Sequence, residues 1–235
     1  MRLLSLTLLT IALVCLIAAP AWADGKEDFD EATQVARVEC GLQSVAYDWD
    51  FSVSNHGFQT AICGGGLPVW AWGPEVVIPG APANVWGTVL NGNYPNLAGH
   101  SLISPEFTIS PDAFLVEVWH YVHIESNWDG GNVKVNGQLV TPMGGYTHNM
   151  NTAAVCVGGQ PGWSGNGFSG PSQVWLQQCF DLTGFMGQTV HLYFDFGSDS
   201  SVMYPGWYLG YVKVGSDATT PSDNPSWGEI KSVFR

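Results

Sequence analysis

The residues best able to do chemistry lie just beyond a long alternating segment, Phe114–Ile124, where the chain reads Glu125-Ser-Asn-Trp128-Asp129-Gly-Gly131. Glu125 and Asp129 flank a strand end, and Gly130-Gly131 lets the backbone turn so that carbonyl oxygens can point inward. Hard cations such as calcium collect six to eight oxygens from carboxylates and carbonyls, so this loop is a candidate ligand set. Asp48, Asp50, Glu106 and Asp199 are the distant carboxylates that could converge on it. The expected metal set is Glu125, Asp129, Asp199 and Asp48, with calcium as the ion. The spacing is not that of an EF-hand, and the same acids could simply form turns.

Other chemistries find less support. His120 and His123 are three apart on a strand, hence on opposite faces, and no His-Glu-x-x-His motif or Cys-x-x-Cys pair occurs. Gly162-Trp-Ser164-Gly165 lacks the second glycine of a nucleophile elbow. Glu117 and Glu125 leave open a pair of acids working as in glycosidases. Trp128 and Trp163 stand in glycine-rich loops and are the candidate ligand-binding platforms, onto which a sugar ring could stack; alternatively they cap the ends of a sandwich.

The elements that must hold these residues read as strands. Short β-rich runs separated by Gly, Pro and Asn cover Val85–Leu90, Leu102–Ser104, Phe107–Ile109, Phe114–Ile124, Asn132–Val135, Gln138–Val140, Val174–Phe180, Thr189–Phe196 and Trp207–Val214. No stretch of the core has sustained helical spacing. Asn136-Gly137 between two alternating runs predicts a type I′ hairpin. On the longest run Val116, Val118, His120 and Val122 share one face, and Leu115, Glu117, Trp119, Tyr121 and His123 share the other. The pattern predicts an all-β fold: an antiparallel two-sheet β-sandwich of jelly-roll type.

Arg2, the apolar run Leu3–Ala19 and Ala21-Trp-Ala23 have the form of a secretory signal cut after Ala23, a retained anchor being the competing reading. The expected organisation is a signal peptide over 1–23, a flexible acidic leader over 24–39, the β domain over 40–215, a linker over 216–225 and a short amphipathic C-terminal tail over 226–235. The formal charge of −13 opposes nucleic acid or an anionic membrane surface as partner. Beyond the signal four cysteines remain, Cys40, Cys63, Cys156 and Cys179, which in an exported chain read as two disulfides. Three connectivities are possible. Sequence proximity favours Cys40–Cys63 and Cys156–Cys179.

Several blocks recur together in one family: Trp70-Ala-Trp-Gly73, Val85-Trp-Gly-Thr-Val-Leu-Asn-Gly-Asn-Tyr94, Ser101-Leu-Ile-Ser-Pro-Glu-Phe-Thr-Ile109, Phe180-Asp-Leu-Thr-Gly-Phe-Met-Gly-Gln188, Phe196-Gly-Ser-Asp199 and Gly206-Trp-Tyr-Leu209. In this order, with the acidic loop among them, they resemble the MAM-like, concanavalin-type jelly-roll domain attached to secreted bacterial peptidases of the immune inhibitor A class. The resemblance implies an accessory domain associated with calcium and with glycan or protein binding. No peptidase part is present, so no proteolysis carries over. The chain departs from the pattern at Leu209-Gly210-Tyr211, where the family usually has Ile-Asp-Asp. The Trp227-Gly-Glu-Ile-Lys231 tail resembles, more loosely, endings of some bacterial envelope exports.

The expectation is therefore a non-catalytic binding module for an extracellular glycan or protein, secreted or held at the cell surface or in the periplasm, and calcium-stabilised. It is not expected to insert in a membrane once the signal is gone. A polysaccharide hydrolase using paired carboxylates and a structural envelope protein displayed through its tail are the alternatives.

Overall fold

The computed structural model describes residues 40–165 and 175–217. The expected signal, leader and tail lie outside them. The strands are β1 (Ser44–Asp50), β2 (Gln59–Ile62), β3 (Trp70–Gly73), β4 (Val85–Thr88), β5 (Gly99–Ile103), β6 (Phe107–Thr108), β7 (Leu115–His123), β8 (Gly130–Val135), β9 (Gln138–Val140), β10 (His148–Asn149), β11 (Pro161–Gly162), β12 (Leu176–Asp181), β13 (Thr189–Val190), β14 (Leu192–Gly197) and β15 (Gly206–Ser216). A single 3-10 turn, Thr183–Phe185, is the one helical element among the described residues. β15 extends through Ser216, one residue into the stretch read as linker.

Two antiparallel sheets make a β-sandwich. One has the order β12-β7-β15-β4-β3, with β1 also paired to β15; the other has the order β2-β5-β14-β8-β9. β15 is long enough to hold β7 along one side and to share its other side between β4, near Leu209, and β1, from Tyr211 to Ser216. The expected alternation of β7 is met. Val116, Val118, His120 and Val122 are buried between the sheets, while Glu117, Trp119, Tyr121 and His123 face the other way. Aromatics fill the interior: Trp207, Trp163, Phe180, Phe194 and Phe196 are essentially inaccessible, and Trp207 contacts Trp163 and Phe194 at 5.4 and 5.9 Å between ring centroids. Burying such side chains is the main favourable term in a fold of this kind.

Asn136 (φ 49°) and Gly137 (φ 85°) form the expected turn between β8 and β9. Gly130 and Gly131 serve a different purpose from the one expected. Neither has a positive φ; both lie in β8, and a Cβ on Gly131 would collide with the indole of Trp207. They permit close packing rather than a turn. Strands β1, β2, β3, β10 and β11 go beyond the expected set. β2 is exposed along its whole length, so burial leaves no alternation in its sequence to read.

The disulfides correct the proximity pairing. Cys40 is bonded to Cys179 and Cys63 to Cys156, with sequence separations of 139 and 93 residues. Neighbourhood in the fold decides the pairing, because the sheets have already brought distant segments together. In the chain-entropy view loops this long restrict the unfolded chain by roughly 4–5 kcal/mol each.

Candidate metal centre

β8 and β14 are antiparallel neighbours with Gly130 opposite Gly197. The residue just before β8, Asp129, and the residue two after β14, Asp199, therefore fall at the same end of the sandwich. β7, in the other sheet, ends nearby and delivers Glu125. Tyr94, in the β4–β5 connection, stitches these segments together. Its hydroxyl donates to Asp129 Oδ2 (2.8 Å) and accepts from the Glu125 N–H (3.0 Å). The Asp199 N–H donates to Asp129 Oδ1 (2.7 Å), and the Leu97 N–H donates to the Asp199 carbonyl (2.6 Å). Ser164 Oγ donates to the Glu125 carbonyl (2.9 Å) and accepts from the Asn127 N–H (2.8 Å). Leu97, Asn127 and Val202 all have positive φ (58°, 66° and 51°), a conformation uncommon for side-chain-bearing residues that clusters at functional sites.

One carboxylate oxygen from each of Glu125, Asp129 and Asp199 lies within 4.8 Å of the other two. Asp129 is fully buried. Burial, with the charges of Asp199 and Glu125 adding to it against two opposing hydrogen bonds, pushes the Asp129 carboxyl up to about 7. Burial and the Asp199 charge likewise raise Glu125, and burial followed by the Asp129 charge raises Tyr94. Among the described residues the only Lys or Arg side chains are Lys134 and Lys213, whose ion-pair partners are Asp195 and Asp48. No base therefore answers these three acids among the described residues. Glu125 Oε2 and Asn96 Oδ1 are buried acceptors with no donor among the described residues. The Asn96 amide is anchored beside the site by its Nδ2, which donates to the Ser200 carbonyl (2.9 Å).

This donor set fits a hard cation. Every candidate ligand is oxygen, three carry charge, and buried acceptors remain that only a donor or a cation could satisfy. The grouping of Cys63, Cys156 and Asp195 is different: its sulfurs are joined in a disulfide, and Asp195 accepts from Ser101 Oγ (2.6 Å) and pairs with Lys134 Nζ (2.7 Å).

Three of the four expected metal residues thus come together, and Asp48 does not. It lies on β1 opposite Lys213, its side chain 54% exposed, with Lys213 Nζ 4.0 Å from Oδ2. Alternation along β1 turns it outward, away from the loop end. Trp128 stands between the acids and is 45% exposed, as a platform must be. Trp163 is no platform. It is completely buried, its backbone bridges Gly131, and its ring packs on His120 at 4.4 Å and Tyr146 at 5.0 Å. The glycines around it gave a loop-like sequence to a core residue. His120 is also core, accepting from Trp207 Nε1 (3.0 Å) at Nδ1, and burial lowers its pKa to about 3. Tyr94 went unnoticed as a site residue, because nothing local marks a tyrosine as the neighbour of acids some thirty to a hundred residues away.

No family model matches the chain. It is 29% identical over 176 residues to bacillopeptidase F of Bacillus subtilis (strain 168), an alignment covering 72% of this chain and 10% of the peptidase; the chain thus spans about a tenth of that protein's length. Among solved structures it is similar to the K3 cleaved adhesin domain of Lys-gingipain from Porphyromonas gingivalis W83, with TM-score 0.44 and 14% identity, covering 74% of this chain and 99% of that one. The K1 cleaved adhesin domain of the same protein gives TM-score 0.43 and 12% identity, covering 73% and 98%.

Proposed function

We propose that the chain is an exported, non-catalytic binding module for a glycan or protein ligand, with a calcium ion organising its loop end. One observation carries the ion. Three carboxylate oxygens from three separate segments lie within 4.8 Å of one another, with no base beside them among the described residues. Such a cluster repels itself unless protons or a cation neutralise it. Glu125, Asp129 and Asp199 would hold the ion, which would supply positive charge that ties the β7–β8 loop to the segment after β14. The accessory role is supported by the match to a small part of a much longer peptidase, and export by two disulfides, which persist in oxidising compartments. The likeness to MAM-like domains belongs to this reading.

Hydrolysis by Glu117 and Glu125 is disfavoured, because Glu117 lies six residues before the end of β7 and Glu125 lies beyond that end, which separates their backbones by roughly 20 Å at about 3.3 Å per residue. The acids that do converge are no better placed. Asp129 has no exposed surface and both its oxygens already accept hydrogen bonds. It cannot touch a substrate.

Melting with calcium and with a chelator tests the ion. At a hundredfold excess over its dissociation constant calcium adds about 2.7 kcal/mol, or some 5–10 °C for a chain of this size. Asp129→Asn should abolish the difference. A wild-type melt that is the same in chelator would reject the site.

A further inference from the structure

The outward face of the six-stranded sheet carries a second constellation, which the loop end does not use. Register arranges it in rows. Gln177, Trp119, Tyr211 and Asp50 are successive cross-strand neighbours on β12, β7, β15 and β1, and Glu117, Lys213 and Asp48 form the next row. Trp175, just before β12, adds a third ring. Trp175 and Trp119 lie 4.8 Å apart between centroids, and Trp119 and Tyr211 are stacked at 5.4 Å. A bulge interrupts β15 between Leu209 and Tyr211. It sets Gly210 against Trp119, where a Cβ would collide with the six-membered ring, so the indole lies on the backbone rather than standing off it. Polar groups fix the rings. Gln177 Nε2 donates to Tyr211 Oη (2.6 Å), and Tyr211 Oη donates to Glu117 Oε1 (3.0 Å). Lys213 Nζ lies 4.8 Å from the Tyr211 centroid. All three rings are partly exposed, and Asp48 and Asp50 are exposed.

We infer that this face binds a neutral glycan chain. The inference rests on the reading of the protein as a binding module and gives that module its ligand class and its site. Sugar rings present C–H faces to aromatics and hydroxyl donors to carboxylates, and the polar groups here include the exposed carboxylates of Asp48 and Asp50 beside the Gln177 amide and one lysine. A phosphate-bearing or acidic polymer would meet Asp48 and Asp50 on a chain of net charge −13. An apolar protein surface would bury those carboxylates without donors, at a cost that hydroxyls avoid. A row of three rings crossing β12, β7 and β15 suits an extended ligand.

The test uses the full chain with calcium and a panel of neutral hexasaccharides (cello-, xylo-, manno- and laminari-series), read by calorimetry and tryptophan fluorescence. At least one should bind. Trp119→Ala and Tyr211→Ala should each weaken it about tenfold, Trp119→Phe should keep most of the affinity, and Ile62→Ala, at an exposed position on β2 of the other sheet, should leave it unchanged, each variant's melt verifying its fold. Three results would overturn the site: no hexasaccharide bound by folded wild type, binding lost through Trp128→Ala but not Trp119→Ala, or self-association in sedimentation that Trp119→Ala removes. Chelator-sensitive melting without saccharide binding rejects this face and leaves the loop-end ion standing. Saccharide binding with an unchanged melt in chelator does the reverse.

Discussion

Asp195 and Asp129 are withdrawn from solvent to nearly the same degree, 5% and 0% exposed, and differ in what answers their charge. Asp195, on the outer side of β14, holds Lys134 at 2.7 Å and Ser101 Oγ at 2.6 Å. Asp129 has a tyrosine hydroxyl, a backbone N–H and two further carboxylates for company. The first site is closed within the chain. The second is short of positive charge among the described residues, and the proposed ion would make good that shortage.

The comparison breaks most sharply at Lys134. Lys134→Ala strands a buried carboxylate and should cost about 3 kcal/mol or more, with or without calcium; a chemical denaturation midpoint reads it directly. If calcium restored that stability, the two sites would not be independent. The next effect is pH. The Asp129 carboxyl is at about 7 in the folded chain against 3.8 for an unperturbed one. Folded protein therefore holds this proton where unfolded chain has lost it, and stability without metal falls as pH rises from about 4 to 7, then levels off. Calcium should flatten that fall and bind more tightly at higher pH, and Asp129→Asn should remove the slope; melts across this window in chelator check all three. The smallest effect is at Asp48. Its exposed contact with Lys213 predicts a change under about 0.5 kcal/mol for Asp48→Ala and an unaltered calcium response.

Legibility followed periodicity. β7, β9 and the Asn136-Gly137 turn could be read because a strand with one buried face writes its alternation locally. Glu125, Asp129 and Asp199 were legible as residue types, whereas the glycines after Asp129, expected to turn the chain, lie inside β8. Asp48 was not separable from them by composition. Only its register opposite Lys213 turns it away. Trp163 was misread because Gly162, which makes room for Met150 and the Gly131 carbonyl, looks in sequence like a loop glycine. Tyr94 and both disulfide pairings depend on contacts across the two sheets, which no local pattern encodes.

The two cross-links are nested, Cys63–Cys156 inside Cys40–Cys179. A single cut in the backbone anywhere between Cys40 and Cys179 therefore leaves both fragments covalently joined. Severed once, the domain would remain one molecule under non-reducing conditions and separate only on reduction. Among extracellular proteases such a chain would survive its first nick as a single particle.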